Sequence, residues 1–452
     1  MFVINLVGSI KKLSVFILGV CLLSFTFYFD DVVFIDFLFL LYVLAVAFFC
    51  SGPFLTDPRG LFLLIFYVYS VFFSLQVIFV GYTKFGIDLE YLAASLRIQF
   101  FSAIVMVTVF NLIIKDDSFF RNKSKVIFER YREFTFLKNS EVLYFLFIAP
   151  LIFYGFYLIL ESGASSKREY LDSATKVQAF AYFASVIMIA VFGIRLVKIP
   201  IFRFDFLIFT IFCTGLMFLL FNGERDVLFK LVLVYLIVFF DKKRFPVLFP
   251  SFLIILFAIF IVPSSQYFKS FFLNGEINFS RVGLDLLFSN EFTSAGKNLY
   301  SLVYFGVEQK FSFFYSDIMR AFTPSFFFSE IDVQSSGAWF NNTFRVVNDF
   351  SGTSGWGFTI VGNGYLVGGY SGVFCIMTIY AFVLSVFYNI RFKNIYLYVF
   401  YLLLFLVAIY VIRADLANYF SQAFKISGLV VVTIYFADCF LVKSSKRLSY
   451  ER

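Results

Sequence analysis

Two short stretches place charge where chemistry could use it. In "FNGERDVLFK" (221–230), Glu224, Arg225 and Asp226 stand in a row between long apolar runs. In "VIRADLANYF" (411–420), Arg413 precedes Asp415 by two residues. In both places an Arg stands just ahead of an Asp, and the Asp opens an apolar helix. An Asp there accepts the free N–H groups of the first turn, so one reading is two capped helices with arginines snorkelling to an interface. The other reading is a site. Two helix N-termini aimed at one chamber, each beside a guanidinium fork, suit a diphosphate. Arg97, Arg320 and Arg345 are further cations that could join such a chamber.

The elements that must position these residues are membrane spans. The chain is 61% hydrophobic and 15% charged, with a mean hydropathy of +0.89, which leaves too little polar surface for a water-soluble protein of 452 residues. Apolar runs of about 17–25 residues recur, each able to cross a hydrocarbon core of roughly 30 Å. They predict an all-α polytopic membrane protein of about twelve transmembrane helices. Spans 1–9 occupy residues 1–262, a large loop 263–357, and spans 10–12 residues 358–452. The tenth run (358–390) is long enough to be tilted or broken. The first run follows Lys11 and Lys12 and ends in "FTFYFDD", with no small residues to cleave behind, so it reads as a retained span.

Basic residues gather on alternate connections: Arg59, the 115–141 segment, "DKKR" at 241–244 and the C-terminal tail. The first intervening turn, at Asp30 and Asp31, has none. That bias predicts both termini in the cytoplasm, and the net charge of +8 then sets topology rather than binding nucleic acid. Both Arg–Asp clusters and the 263–357 loop fall on the outer face. The loop contains "SRVGLDLLFSNEFTSAGKNLYSLVYF" and "KFSFFYSDIMRAF", which read as amphipathic helices and suit a lid or binding surface.

There is no histidine, which removes Ser–His and Cys–His nucleophile schemes. The five cysteines lie apart in separate apolar runs and propose neither a disulfide nor a metal site. No phosphate-binding glycine loop occurs. No metal and no cofactor are expected.

On these features the chain resembles the Wzy-type polymerases of O-antigen and related bacterial polysaccharides. The resemblance lies in the twelve-span pattern, the long outer loop between spans nine and ten, the Gly-x-Arg of "GERDVLF", the Arg-x-Asp of "RADL", and "GFTIVGNGYLVGGYSGVF" after the loop. In that last stretch the family pattern is Gly-Phe-Ser, Glu-x-Tyr, then Gly-x-x-Gly. Asn363 stands where Glu is frequent, while Tyr365, Gly369 and Gly372 fit.

The resemblance implies a metal-independent glycosyltransferase of the integral-membrane GT-C type in the bacterial inner membrane, acting in lipopolysaccharide biosynthesis. It would move a growing glycan from undecaprenyl diphosphate to a new lipid-linked repeat unit at the periplasmic face. Its partners would be those lipid-linked oligosaccharides, the bilayer and a chain-length regulator protein. Arg225 and Arg413 would stabilise the departing diphosphate, and Glu224 or Asp415 would take the acceptor proton. Arg97, Arg320, Arg345, Asn363 and Tyr365 would hold substrate. Two other readings stay open. A ligase of the same fold would lean on a loop histidine, absent here; a flippase for lipid-linked oligosaccharide would show related halves and charges deep in its spans.

Overall fold

Long apolar stretches with few internal breakers become helices, because away from water each backbone N–H and C=O must be satisfied within the segment itself. The computed structural model describes residues 2–52, 54–80, 87–115, 144–162, 175–199, 205–222, 225–243, 248–259, 292–323, 334–344, 358–437 and 439. Every secondary-structure element among them is helical. In chain order these are α1 (Phe2–Thr26), α2 (Val32–Phe49), α3 (Pro58–Val80), α4 (Leu89–Ile113), α5 (Ala149–Ser162), α6 (Thr175–Lys198), α7 (Phe206–Asn222) and α8 (Arg225–Lys243). There follow α9 (Leu248–Ile259), α10 (Thr293–Tyr304), α11 (Ser312–Phe322), α12 (Ser336–Phe344), α13 (Ile360–Ile390), α14 (Ile395–Val411) and α15 (Leu416–Ala437).

Five of these, α2, α3, α4, α13 and α15, are long and apolar enough to cross a membrane. Large apolar side chains such as Leu112, Phe206, Phe249 and Phe252 stand exposed on the helix surfaces. Contiguous exposure of this kind is unfavourable in water and favourable in lipid. The chain is a membrane-embedded helical protein. Side-chain caps set several helix starts: Asp31 for α2, Asp57 for α3, Asp88 for α4, Asn394 for α14 and Asp415 for α15 each accept a first-turn N–H.

α13 and α14 form a hairpin at the centre, with α4 packed along α13. The break expected in the tenth span falls at Gly368–Gly369. Gly369 has φ 58° and ψ −137°, a conformation that Cβ-bearing residues avoid. The arm before the break folds back on the helix after it. A Cβ at Gly364 would lie only 2.6 Å from the Val373 Cα, so glycine is needed for that approach.

α10 differs from its sequence reading. Its residues from Thr293 to Val303 are buried, enclosed by α3, α4 and α13 rather than facing water on one side. Phe292, just ahead of it, packs on Tyr69 and Phe72 half-way along α3, with ring centroids 4.9 and 5.5 Å apart. At its other end Tyr304 meets Tyr91 at 5.4 Å, and the Tyr300 hydroxyl accepts from Asp88 N at 3.1 Å. The polar residues of α10, all buried, include Lys297 and Asn298 beside small Ser294 and Ser301, which let helices approach closely. A hydrophobic pattern cannot separate a buried polar stripe from a wet one.

Candidate functional site

The hairpin of α13 and α14 carries a buried charged cluster at each end. At the Arg413 end the turn after α14 is tied to the start of α13 by Phe358 N, which donates to Arg413 O at 3.0 Å. Asp415 then caps α15: its Oδ1 accepts from the backbone N and the Nδ2 of Asn418, both at 2.8 Å. Its Oδ2 accepts from Gly337 N at 3.2 Å, in the first turn of α12. Asp317, on α11, receives the neighbouring N–H of that turn, Ser336 N at 3.0 Å, and the Ser336 hydroxyl at 2.7 Å. Asn363 ties Asp317 to the first residue after Asp415. Its Nδ2 donates to Asp317 Oδ2 at 2.8 Å and to Ser336 Oγ at 2.9 Å, while its Oδ1 accepts from Leu416 N at 3.1 Å.

All four side chains are buried. No described cation forms an ion pair with either acid. What offsets the two carboxylates is the N-terminus of α12, whose successive N–H groups point one at each acid. Burial, and then the charge of Asp415, push the Asp317 carboxyl up to about 7 against the hydrogen bonds from Ser336 and Asn363. A carboxyl titrating near neutrality is matched to proton transfer.

A second group of charges meets this end at Tyr410. The Arg413 Cζ lies 5.4 Å from the Tyr410 ring centroid, and Lys230 Nζ lies 5.9 Å from the same centroid. Lys230, on α8, pairs with Asp226 one turn earlier at 2.5 Å and lies 5.9 Å from the Tyr182 ring. The first turns of α8, which Arg225 opens, thus reach the corner where Arg413 stands. Behind Lys230 is a slot of about 20 Å³ lined by Tyr182, Ile189, Leu403, Val407 and Gln422. Its Gln422 wall belongs to a stretch of α15, Ser421–Gly428, wound as a π-helix.

The other residues expected at a common chamber are placed as follows. Arg97 closes the α1–α2 turn: it donates to Thr26 O at 3.0 and 2.8 Å and to Phe29 O at 3.1 Å, and pairs with Asp30 at 2.5 Å. It is not among the groups around Tyr410. Arg320 lies in the last turn of α11, where Lys425 Nζ donates to its carbonyl at 3.2 Å and to Thr323 O at 2.7 Å. Tyr365 is half-buried in the arm of α13. Glu224 and Arg345 lie outside the described residues, and Arg225 is described as the first helical residue of α8.

Asp317 and Lys230 are absent from the sequence-based candidates. A signal for Asp317 existed. Phe313, Asp317 and Ala321 are the buried residues of α11 and recur every fourth position, so an acid interrupts an apolar stripe. Lys230 carried none, since a lysine one turn from an aspartate reads as a surface pair.

At the Arg391 end Asp57 is paired with an arginine. Asp57 accepts from Arg59 N at 2.9 Å, Nε at 3.0 Å and Nη2 at 2.7 Å, with Gly52 N at 2.8 Å and the Tyr388 hydroxyl at 3.3 Å. Burial alone would raise its carboxyl, but the charge and hydrogen bonds of Arg59 outweigh it and hold Asp57 below the usual range. Asp241 accepts from Leu55 N at 2.7 Å and Thr56 Oγ1 at 2.9 Å, and burial pushes its carboxyl up to about 6 against the charge of Arg391. Arg391 itself stacks on Tyr388 at 3.4 Å and Phe392 at 4.1 Å.

No family model, curated protein or solved structure matches this chain.

Proposed function

We propose that the protein is a Wzy-type polysaccharide polymerase of about twelve spans, with its termini in the cytoplasm and its site at the periplasmic face of a bacterial inner membrane. It transfers a growing glycan from undecaprenyl diphosphate to a new lipid-linked repeat unit. The observation that supports this reading is the corner at Tyr410, where Arg413 and Lys230 lie 5.4 and 5.9 Å from one ring beside the buried Asp317–Asn363–Asp415 group.

In the transfer, the bond between the donor sugar C1 and the diphosphate oxygen breaks and its electron pair stays on the diphosphate. The transition state is oxocarbenium-like, as in glycoside hydrolysis. Arg413 and Arg225, with Lys230 between the same helices, stabilise the charge that builds on the leaving group. The acceptor hydroxyl forms the new bond to C1 and yields its proton to Asp415, two residues from Arg413. Asp317, fixed to the same turn of α12, senses that proton through the charge of Asp415. Asn363 suits this arrangement better than a Glu would, because a third acid beside Asp317 and Asp415 would repel both.

Arg413→Ala and Arg225→Ala test the reading. Each should lower chain lengthening by about 10²–10³-fold at normal membrane abundance, leaving lipopolysaccharide core with a single repeat unit. Arg→Lys keeps the charge but not the fork, and should restore part of the ladder. Near-normal ladders from Arg413→Gln and Arg225→Gln would sink it; repeat units missing from the core altogether would favour a ligase.

A further inference from the structure

We infer that α11 is immersed in the edge of the bilayer beside α15, with Phe311, Tyr315, Met319 and Phe322 covered by membrane lipid and Lys425 capping the immersed end. By sequence this helix belongs to a loop outside the membrane. Its packing sets it below the end of a span.

The two faces of α11 differ in what covers them. Phe313, Asp317 and Ala321 are its buried side chains, and Asp317 is bound to Ser336 and Asn363. On the opposite face Phe311, Tyr315, Met319 and Phe322 are 59, 62, 49 and 55% exposed. They recur at helical spacing, so four large apolar groups stand in one row about 16 Å long. Such a row is unfavourable in water. An amphipathic helix with aromatic groups on one face settles instead at the boundary between headgroups and acyl chains.

Depth along α15 supplies the second, independent observation. α15 is long and apolar enough to cross a membrane, and Asp415 caps its start. Phe322 packs on Phe420 and Phe424, with ring centroids 5.6 and 6.5 Å apart. Those two residues lie about 7 and 13 Å below the cap, at the helical rise per residue. Further down, α15 itself exposes Leu429, Val432, Tyr435 and Phe436. The row on α11 therefore ends against the body of a span, well below its capped end.

The ends of α11 are finished in opposite ways. Just ahead of its first turn Lys310 and Glu308 pair at 3.4 Å with both side chains more than half exposed, which suits water. At the other end Lys425, about 15 Å below the cap of α15, reaches across. Its Nζ donates to Arg320 O at 3.2 Å and to Thr323 O at 2.7 Å. In water those carbonyls would be hydrated, and an ammonium given to them would gain little. Away from water each needs a donor from the protein, and the ammonium also sits at the negative end of the helix dipole. One face of α11 thus meets lipid while the other holds Asp317 against the first turn of α12.

The test uses the full chain in phosphatidylcholine nanodiscs that contain a phospholipid with a diazirine on its acyl chain. Light attaches that lipid to the side chains it touches. Cleavage at Lys310 and Arg320 then isolates residues 311–320 for mass spectrometry. Label on Tyr315 and Met319 should match that on Val432 of α15, and Phe313 should carry none. Label on Val432 without label on residues 311–320 overturns the proposal and leaves α11 in water. The same loss with a doubled particle mass overturns it in favour of a second copy on the row. Lys425→Met should lower the label on Met319 about fivefold, since the cap is lost, with Val432 labelled as in the parent. Lys425→Arg keeps the donors and should restore it. Unchanged label on Met319 in Lys425→Met overturns the role of Lys425. Labelling is read without substrate, so it stands or falls apart from the polymerase reading.

Discussion

The two ends of the α13–α14 hairpin bury acids in opposite ways. At the Arg391 end, Asp57 is gripped by Arg59 in a two-pronged pair. At the Arg413 end, Asp317 and Asp415 share the first turn of one helix, and no described cation pairs with either. A matched buried pair has a single favoured charge state and serves as a pin. Two unmatched acids that feel each other have several states close in energy, and that is what proton chemistry requires.

The largest effect should come from breaking a pin. Arg59→Met leaves the Asp57 carboxylate buried and uncompensated, at a cost of about 3–5 kcal/mol. The thermal midpoint in detergent should collapse, and little folded protein should reach the membrane. Asp317→Asn removes a charge from a pair that repels, so its stability should stay within about 1 kcal/mol of the parent. Its chain lengthening should drop about 10²–10³-fold. If Asp317→Asn destabilises as much as Arg59→Met, the two ends do the same job and the contrast fails.

The pH response sharpens the same contrast, because the two acids shift in opposite directions. Asp317 titrates near 7 in the fold, above its ordinary 3.8. Its contribution is therefore fully present below pH 3.8 and is lost as pH rises through 7. Asp57 is held below 3.8, so its contribution is present above that value and is lost as pH falls through its folded pKa. Thermal midpoints across pH 3–8 should thus show a neutral-side decline that shrinks in Asp317→Asn to the part left by Asp241, which burial also raises, to about 6, while an acid-side decline persists. A neutral-side decline of full size in Asp317→Asn assigns it elsewhere.

Smaller effects belong to the residues that hold the acid pair in place. Asn363→Asp removes both donors from Nδ2 and adds a third carboxyl; the loss should be about 1–3 kcal/mol, greatest where Asp317 is ionised. Gly369→Ala should cost about 1–2 kcal/mol, because its positive φ is strained for any Cβ and Gln309 lies against it. That loss should be the same at every pH, since no charge is altered. A pH-dependent loss at Gly369 would mean that the break in α13 tunes the acids rather than merely placing Asn363.

Sequence alone made some of this site legible. Arg413 and Asp415 were visible because charge stood at the end of an apolar run, and Asp415 is a helix cap as its type and place suggest. Asn363 was visible through a motif, but its work was not: the amide spans α11, α12 and α15, three elements far apart in the chain. Arg97 was read as a chamber cation, yet it is held by Thr26, Phe29 and Asp30. A guanidinium at a helix end looks alike in sequence whether it closes a turn or faces a ligand. Lys230 was invisible for the opposite reason, since its nearest partner along the helix explains it fully until Tyr182 and Tyr410 are brought up from elsewhere.

What the sequence by itself determined is what local physics can settle. Apolar runs had to become helices in lipid, Asp had to cap several of them, and the longest run had to tilt or break. Tertiary structure decided which charges meet. Only the fold sets the first turn of α12 between Asp317 and Asp415, encloses α10 among α3, α4 and α13, and puts Arg413 and Lys230 on one tyrosine. Those contacts join residues far apart on the chain, Lys230 with Tyr410 and Gly337 with Asp415 among them, and no local pattern encodes them.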